Sequence, residues 1–305
     1  MTSEPSPPVR RYMIGSVAFE AGSLAPGLHI VATPIGNLGD MTIRGLAALA
    51  AADSVLCEDT RTTAKLFDRY AIRTPLQPYH EHNAAKVRPA VLGRLAQGAR
   101  IALVSDAGMP LVSDPGYRLV REAVQMGITV TACPGPSAVL TGLALSGLPT
   151  NHFAFFGFMP HKAGERKTLF AEIASLRSTL IFFESPHRIV GTLRDVAMVF
   201  PGREIVVARE LTKLHEEILR GPADEIAAAL AGRPAVKGEI TLLIGPPVDD
   251  GTAVTDADLT SAIIKALETM PASKAATSVA RCFGLGKKDI YNRILAMKGG
   301  GDDET

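Results

Sequence analysis

A single junction constrains this chain most. The apolar run at 101–104 (Ile-Ala-Leu-Val) reads as a buried strand, and 117–126 carries Leu119, Val120, Ala123 and Val124 at helical spacing. Between them lies 105–116, rich in Ser, Asp, Gly and Pro. A strand-to-helix connection normally needs about two to six residues. The surplus sits at the carboxyl end of a strand, where open parallel sheets bind ligands. It offers backbone N–H groups, two carboxylates (Asp106 and Asp114) and rigid prolines, which suit a polar small molecule.

The alternation of strand and helix extends both ways from this loop. Strands are expected at 28–33, 53–57, 76–79, 101–105 and 128–133, and helices at 42–51, 60–70, 85–97, 117–126 and from 138 to about 145. Thr42 is placed to cap the first helix, and Gly98 and Gly127 close the third and fourth. After a linker at 147–151 the pattern restarts. It has strands at 153–158, 179–183, 204–209 and 239–244, helices between them, and 215–220 positioned to pair with 204–209. This order predicts an α/β protein with two successive α/β domains, 28–147 and 148–248, and a ligand cleft at their junction. Residues 1–27, rich in Pro, Ser and Gly, read as a disordered extension, and 253–298 as a small helical module.

Composition removes several function classes. The formal net charge of the 305 residues is +1, so no global field points to nucleic acid or membrane. Hydrophobic residues at 47% suffice for sizeable cores. Cys57, Cys133 and Cys282 lack paired spacing, which argues against a disulfide framework or zinc site and for a reducing cytoplasm. No apolar stretch approaches the roughly 18 residues that span a bilayer, and no signal-peptide pattern opens the chain. There is no Gly-x-Gly-x-x-Gly after the first strand, no phosphate-cradling Gly-x-x-x-x-Gly-Lys and no Gly-x-Ser-x-Gly elbow. His80-Glu81-His82 is a poor metal pair, because neighbours on a strand face opposite ways.

What remains is a set of loops at strand ends: 33–40, 105–116, 134–138 and 182–188. With 207–217 (Val-Ala-Arg-Glu-Leu-Thr-Lys-Leu-His-Glu-Glu) and 237–242 (Lys-Gly-Glu-Ile-Thr-Leu), they resemble the tetrapyrrole methylase superfamily. They look most like its ribosomal branch, the small-subunit rRNA (cytidine-2′-O)-methyltransferases. Any one motif is weak, but the ordered set over 28–246 is specific.

The resemblance implies S-adenosylmethionine as methyl donor in the inter-domain cleft, a homodimer, and a cytidine ribose hydroxyl in the decoding region of 16S rRNA as acceptor. By family position it implies donor contacts from Pro34, Ile35, Asp106, Ala107, Gly108, Met109, Pro110, Ser137, Ala138, Phe183, Glu184, Ser185, Leu211 and Thr241. The residues themselves leave alternatives. Asp106 also suits capping of a turn or helix, Asp114 before Pro115 suits turn shaping, and Glu184 is placed to pair with Arg188.

A ribose hydroxyl is a poor nucleophile, so a positioned base would help. Asp106, Glu184, His187 and His80 are candidates. For RNA phosphates the candidates are Arg61, Lys65, Lys162, Arg166, Lys167, Arg188, Lys213, Lys287 and Lys288. The segment 253–298 has seven Lys/Arg against four Asp/Glu and suits either a helix–turn–helix RNA contact or a plain capping module. Two rival functions remain at this stage: a tetrapyrrole or other small-molecule methyltransferase, and a non-enzymatic RNA-binding protein.

Overall fold

A computed structural model describes residues 10–247, 256–283 and 285–299. Expectations for 1–9, 248–255, Gly284 and 300–305 lie outside the described residues. The chain divides into two compact units, 1–247 and 248–305.

The first unit contains two five-stranded sheets. The first sheet is wholly parallel, in the order β5 (Leu76–Pro78), β4 (Ser54–Cys57), β6 (Arg100–Leu103), β3 (Gly27–Val31), β7 (Val130–Cys133). Helices α1 (Ile43–Ala51), α2 (Thr60–Arg69), α3 (Ala84–Ala96) and α4 (Tyr117–Gln125) connect its strands. The strands β3 and β4 are buried throughout, as expected of a parallel sheet covered on both faces. Thr42 caps α1 by accepting from the Gly45 amide at 3.1 Å.

After β3 the chain crosses toward β4. After β6 it crosses the other way, toward β7. The carboxyl ends of these adjacent strands form the switch point at which such sheets bind ligands.

The second sheet is mixed, in the order β11 (Glu217–Gly221), β10 (Ile205–Arg209), β12 (Ile240–Ile244), β9 (Thr179–Glu184), β8 (Phe153–Phe158). The β8–β9 pair is parallel and the others antiparallel. As anticipated, β11 pairs with β10, Glu217 facing Arg209. Helices α6 (Ala163–Ile173), α7 (Ile189–Val199) and α8 (Ala223–Ala231) pack on one face around Phe170, Phe182, Leu193 and Leu230.

The other face receives helix α5 (Ala138–Ser146), which follows β7 of the first sheet. Val139 and Leu143 pack with Ile181, Val206, Ala208 and Leu243 of the second sheet. Gly142 permits this approach, because a Cβ there would lie 3.2 Å from the Thr241 methyl. Arg220 donates to the Ser146 carbonyl at 2.9 Å and to that of Leu145, closing the carboxyl end of α5.

The expected disordered extension needs correction from residue 10 onward. Strands β1 (Arg11–Ile14) and β2 (Val17–Glu20) form an antiparallel hairpin. Tyr12 is buried against the first sheet's core, and the Arg10 guanidinium reaches the Ala51 carbonyl at 2.6 Å and Asp53 at 3.1 Å. Tertiary packing overrides a Pro/Gly/Ser-rich composition here.

The second unit has three helices, α9 (Asp256–Thr269), α10 (Ala272–Phe283) and α11 (Lys287–Gly299), around Leu259, Ile263, Val279, Ile290 and Ile294. Arg293 ties α11 to Asp256 at 2.6 Å. No helix among the described residues is long and apolar enough to cross a membrane.

Candidate active site

Loops from both sheets converge on a cleft of about 480 Å³. The first sheet contributes Ile35 after β3, 106–109 and 112–114 after β6, and Ser137–Val139 at the start of α5. The second contributes Phe158 from β8, 183–186 from the end of β9, Leu211 after β10 and 238–241 leading into β12.

The floor is stitched by an isolated antiparallel bridge between Thr33 and Gly108. Each amide donates to the other's carbonyl, at 2.9 and 3.0 Å, and the Thr33 hydroxyl donates to the Ser105 carbonyl at 3.1 Å. Gly108 has φ 79°, a region where a side chain is strained, and its bare Cα keeps the backbone open to the cleft. Strain also gathers around the rim. Leu111 (φ 76°), Ser113 (φ 65°), Glu210 (φ 52°) and Thr212 (φ 65°) are left-handed without being glycine. Each such residue costs about 1–3 kcal/mol, and such residues concentrate at functional sites. The 210–213 turn is held by Glu210, which accepts from Lys213 at 2.7 Å and from the Glu239 amide at 3.0 Å.

Of the expected donor contacts, Ile35, Asp106, Ala107, Gly108, Met109, Ser137, Ala138, Phe183, Glu184, Ser185, Leu211 and Thr241 line the cleft. Pro34 and Pro110 do not. Both are buried behind the loop they stiffen. Asp106 is exposed and accepts from the Asp59 amide at 3.1 Å. It therefore combines the two roles left open for it, a loop cap and a carboxylate at the cleft.

Glu184, one of the base candidates, sits in a network of its own. It is buried, with one carboxylate oxygen accepting from the Ser185 amide and paired with Arg188, both at 2.6 Å. The other accepts from Thr192 at 2.5 Å. Both oxygens are thus engaged by the protein's own groups. His187 is exposed and outside the cleft, and His80 does not line it either.

Among the expected RNA contacts, Arg166 and Arg188 are engaged within the protein. Arg166 is buried, bound to Asp195 with its Nε 2.8 Å away, and Arg188 is held by Glu184 and the Met159 carbonyl. Lys213 is drawn into Glu210 and Glu239. Arg61 is exposed and paired with Asp59 at 2.7 Å. Lys65, Lys162, Lys167, Lys287 and Lys288 are exposed.

The sequence reading missed Asp114, Val112, Ser113, Val139, Phe158, Pro186, Gly238, Glu239 and Ile240 as lining residues. Asp114 matters most. Burial pushes its carboxyl up to about 6 against a hydrogen bond from Ser105, with Glu58 and Asp106 adding repulsion. The Asp-Pro-Gly context suggested a turn, and nothing local in the sequence discloses its desolvation.

The sequence profile of the tetrapyrrole (corrin/porphyrin) methylases matches residues 27–227, and that of the RsmI C-terminal HTH domain matches 253–298. A ribosomal RNA small subunit methyltransferase I of Mesorhizobium japonicum is 46% identical over 94% of this chain and 97% of its own length. The chain belongs to this methyltransferase family. A second member, from Erythrobacter litoralis, is 47% identical over 91% of this chain and 98% of its own.

Solved structures place the fold within the wider family. Uroporphyrin-III-C-methyltransferase from Thermus thermophilus superposes with a TM-score of 0.51 at 18% identity, covering 72% of this chain and 94% of that one. Diphthine synthase does so at 0.56 and 14%, covering 72% and 89%. Membership of the small subunit methyltransferase I family makes the chain an enzyme and sets aside the non-enzymatic reading.

Proposed function

We propose that the chain transfers a methyl group from S-adenosylmethionine to the ribose 2′-hydroxyl of a cytidine in the decoding region of 16S rRNA, acting as a cytoplasmic homodimer. The carrying observation is the cleft at the switch point, closed by residues of both sheets. Its size lies within the range of about 300–1,000 Å³ usual for small-molecule sites.

The donor set also fits. Apolar Ile35, Val139, Phe183 and Leu211 offer an adenine slot, and the first amides of α5 at Ser137–Ala138 suit a carboxylate. The open backbone at 107–108 and the exposed Asp106 carboxylate suit ribose hydroxyls or an ammonium group. The donor supplies a methyl carbon on a sulfonium, already a good leaving group. The protein's part is to align acceptor oxygen, carbon and sulfur and to accept a proton.

On the RNA side, the exposed Lys65, Lys162 and Lys167 and the Lys287–Lys288 pair of α11 support phosphate contact. The names of the relatives and the helix–turn–helix match at 253–298 favour an RNA acceptor over a tetrapyrrole.

The test is methyl-labelled donor with small ribosomal subunits that lack the modification. Label at one cytidine 2′-hydroxyl is expected. A saturating donor with no label in the subunits, or label only in a porphyrin precursor, overturns the assignment.

A further inference from the structure

A second cavity of about 260 Å³ adjoins the donor cleft, and the two share one residue, Asp114. Tyr117 and Arg118, the first residues of α4, stand exposed on its wall. Arg88, anchored to Glu122 at 2.9 Å, lines it as well. Its lining brings an exposed aromatic ring, guanidinium groups and a carboxylate together, the groups a nucleotide would meet. We infer that this cavity receives the acceptor cytidine, with Tyr117 against its base, Arg118 at its phosphate and Asp114 accepting the proton of its 2′-hydroxyl. The inference rests on the methyl transfer proposed above and deepens it.

Three observations carry it. The position is unique, since of the residues lining either cavity only Asp114 lines both. A group that must meet the acceptor oxygen on one side and the donor methyl on the other needs that place. The loop is also held there at a cost, because Leu111 and Ser113 adopt left-handed backbone just before it. Finally, Tyr117 is 65% exposed in a chain with only 5% aromatic residues and no Trp. A bare ring at a cavity rim is a stacking surface for a base turned out of an RNA fold.

The atoms balance. The hydroxyl oxygen forms a bond to the methyl carbon as its proton passes to the Asp114 carboxylate. The carbon–sulfur bond breaks with its electron pair going to sulfur, leaving a neutral thioether. Asp114 returns its proton to water.

The polar and charged groups acting on Asp114 are Ser105, Glu58 and Asp106, and Glu81, Arg88 and Arg118 line the smaller cavity with it. The carboxyl ionises near pH 6 within this set, so single-turnover methylation should rise through about pH 6 to a plateau.

The experiment uses the full chain and unmodified small subunits. Asp114→Asn should lower single-turnover rate about 100-fold or more and remove the acid limb, with calorimetric donor affinity within twofold of the parent. Tyr117→Ala should raise KM for subunits about tenfold with little change in kcat, and Tyr117→Phe should restore it. Arg118→Ala should weaken subunit binding, read by filter retention with S-adenosylhomocysteine present.

An Asp114→Asn enzyme within threefold of the parent rate, a parent profile flat from pH 5 to 7, or Tyr117→Ala with an unchanged KM each overturns the inference. Should the Asn variant fail to fold, the parent pH profile and the two surface variants still decide. A parent that neither binds donor nor labels subunits would instead overturn the underlying function.

Discussion

Asp106 and Glu184 show how little a residue's type says about its work. Both are carboxylates at strand ends on the same cleft. Glu184 is engaged by Ser185, Arg188 and Thr192, whereas Asp106 faces solvent and accepts from the Asp59 amide. Substitution should separate them. Glu184→Gln removes a buried charge that holds the half-buried Arg188 and should lower unfolding free energy by about 2–3 kcal/mol, read by urea denaturation. Asp106→Ala should leave the urea midpoint nearly unchanged. Its donor Kd should rise about tenfold by calorimetry, the equivalent of one lost charged hydrogen bond at about 1.4 kcal/mol. The Glu184–Arg188 pair was visible in the sequence as an i,i+4 spacing at a helix start. The Arg166–Asp195 pair was not, because its partners lie 29 residues apart and only the packing of α6 on α7 joins them.

At the level of elements, the β10–β11 hairpin carries a built-in acid sensitivity. Glu217 accepts from Arg209 across the ladder at 3.0 Å and from Arg233 through both carboxylate oxygens at 2.7 and 2.8 Å. The Arg233 hydrogen bonds, with help from Arg209, hold its carboxyl at about 2. A carboxyl lowered in the folded state contributes stability above its ordinary value near 4.5. That contribution is lost as pH falls from there toward about 2. Glu217→Gln should therefore cost about 1–2 kcal/mol at pH 7, discounted for partial exposure, and nothing near pH 2. Thermal melts of parent and variant across that range check this.

The parallel first sheet and its helices were legible because their apolar spacing is long and regular. The β1–β2 hairpin was not. Its four-residue strands have little pattern, and contacts such as Tyr12 and Arg10 with the main sheet's core and α1 hold it in place.

On the scale of the whole molecule, the chain forms two units built around separate cores. The helical unit presents Lys287 and Lys288 at the start of α11, both exposed. Reversing both charges, Lys287→Glu with Lys288→Glu, should raise KM for subunits about tenfold and flatten its dependence on salt, while donor affinity stays put. Steady-state labelling at two ionic strengths checks it. The cleft could be expected from the sequence because four loops at strand ends, with the motifs at 207–217 and 237–242, resemble one family in order. Phe158 of β8 and Ile240, next to the expected Thr241 on β12, could not, since both read as ordinary strand residues until the sheets are brought together.

Helix α5 has one more consequence. It follows the last strand of the first sheet, yet its apolar side is sunk into the second, and Arg220 fastens its far end there. Prising the sheets apart would wet Val139, Leu143, Ile181 and Val206 together and break that clasp. Moving one layer against the other would therefore give up the burial of that shared cluster, which holds the two walls of the cleft in register.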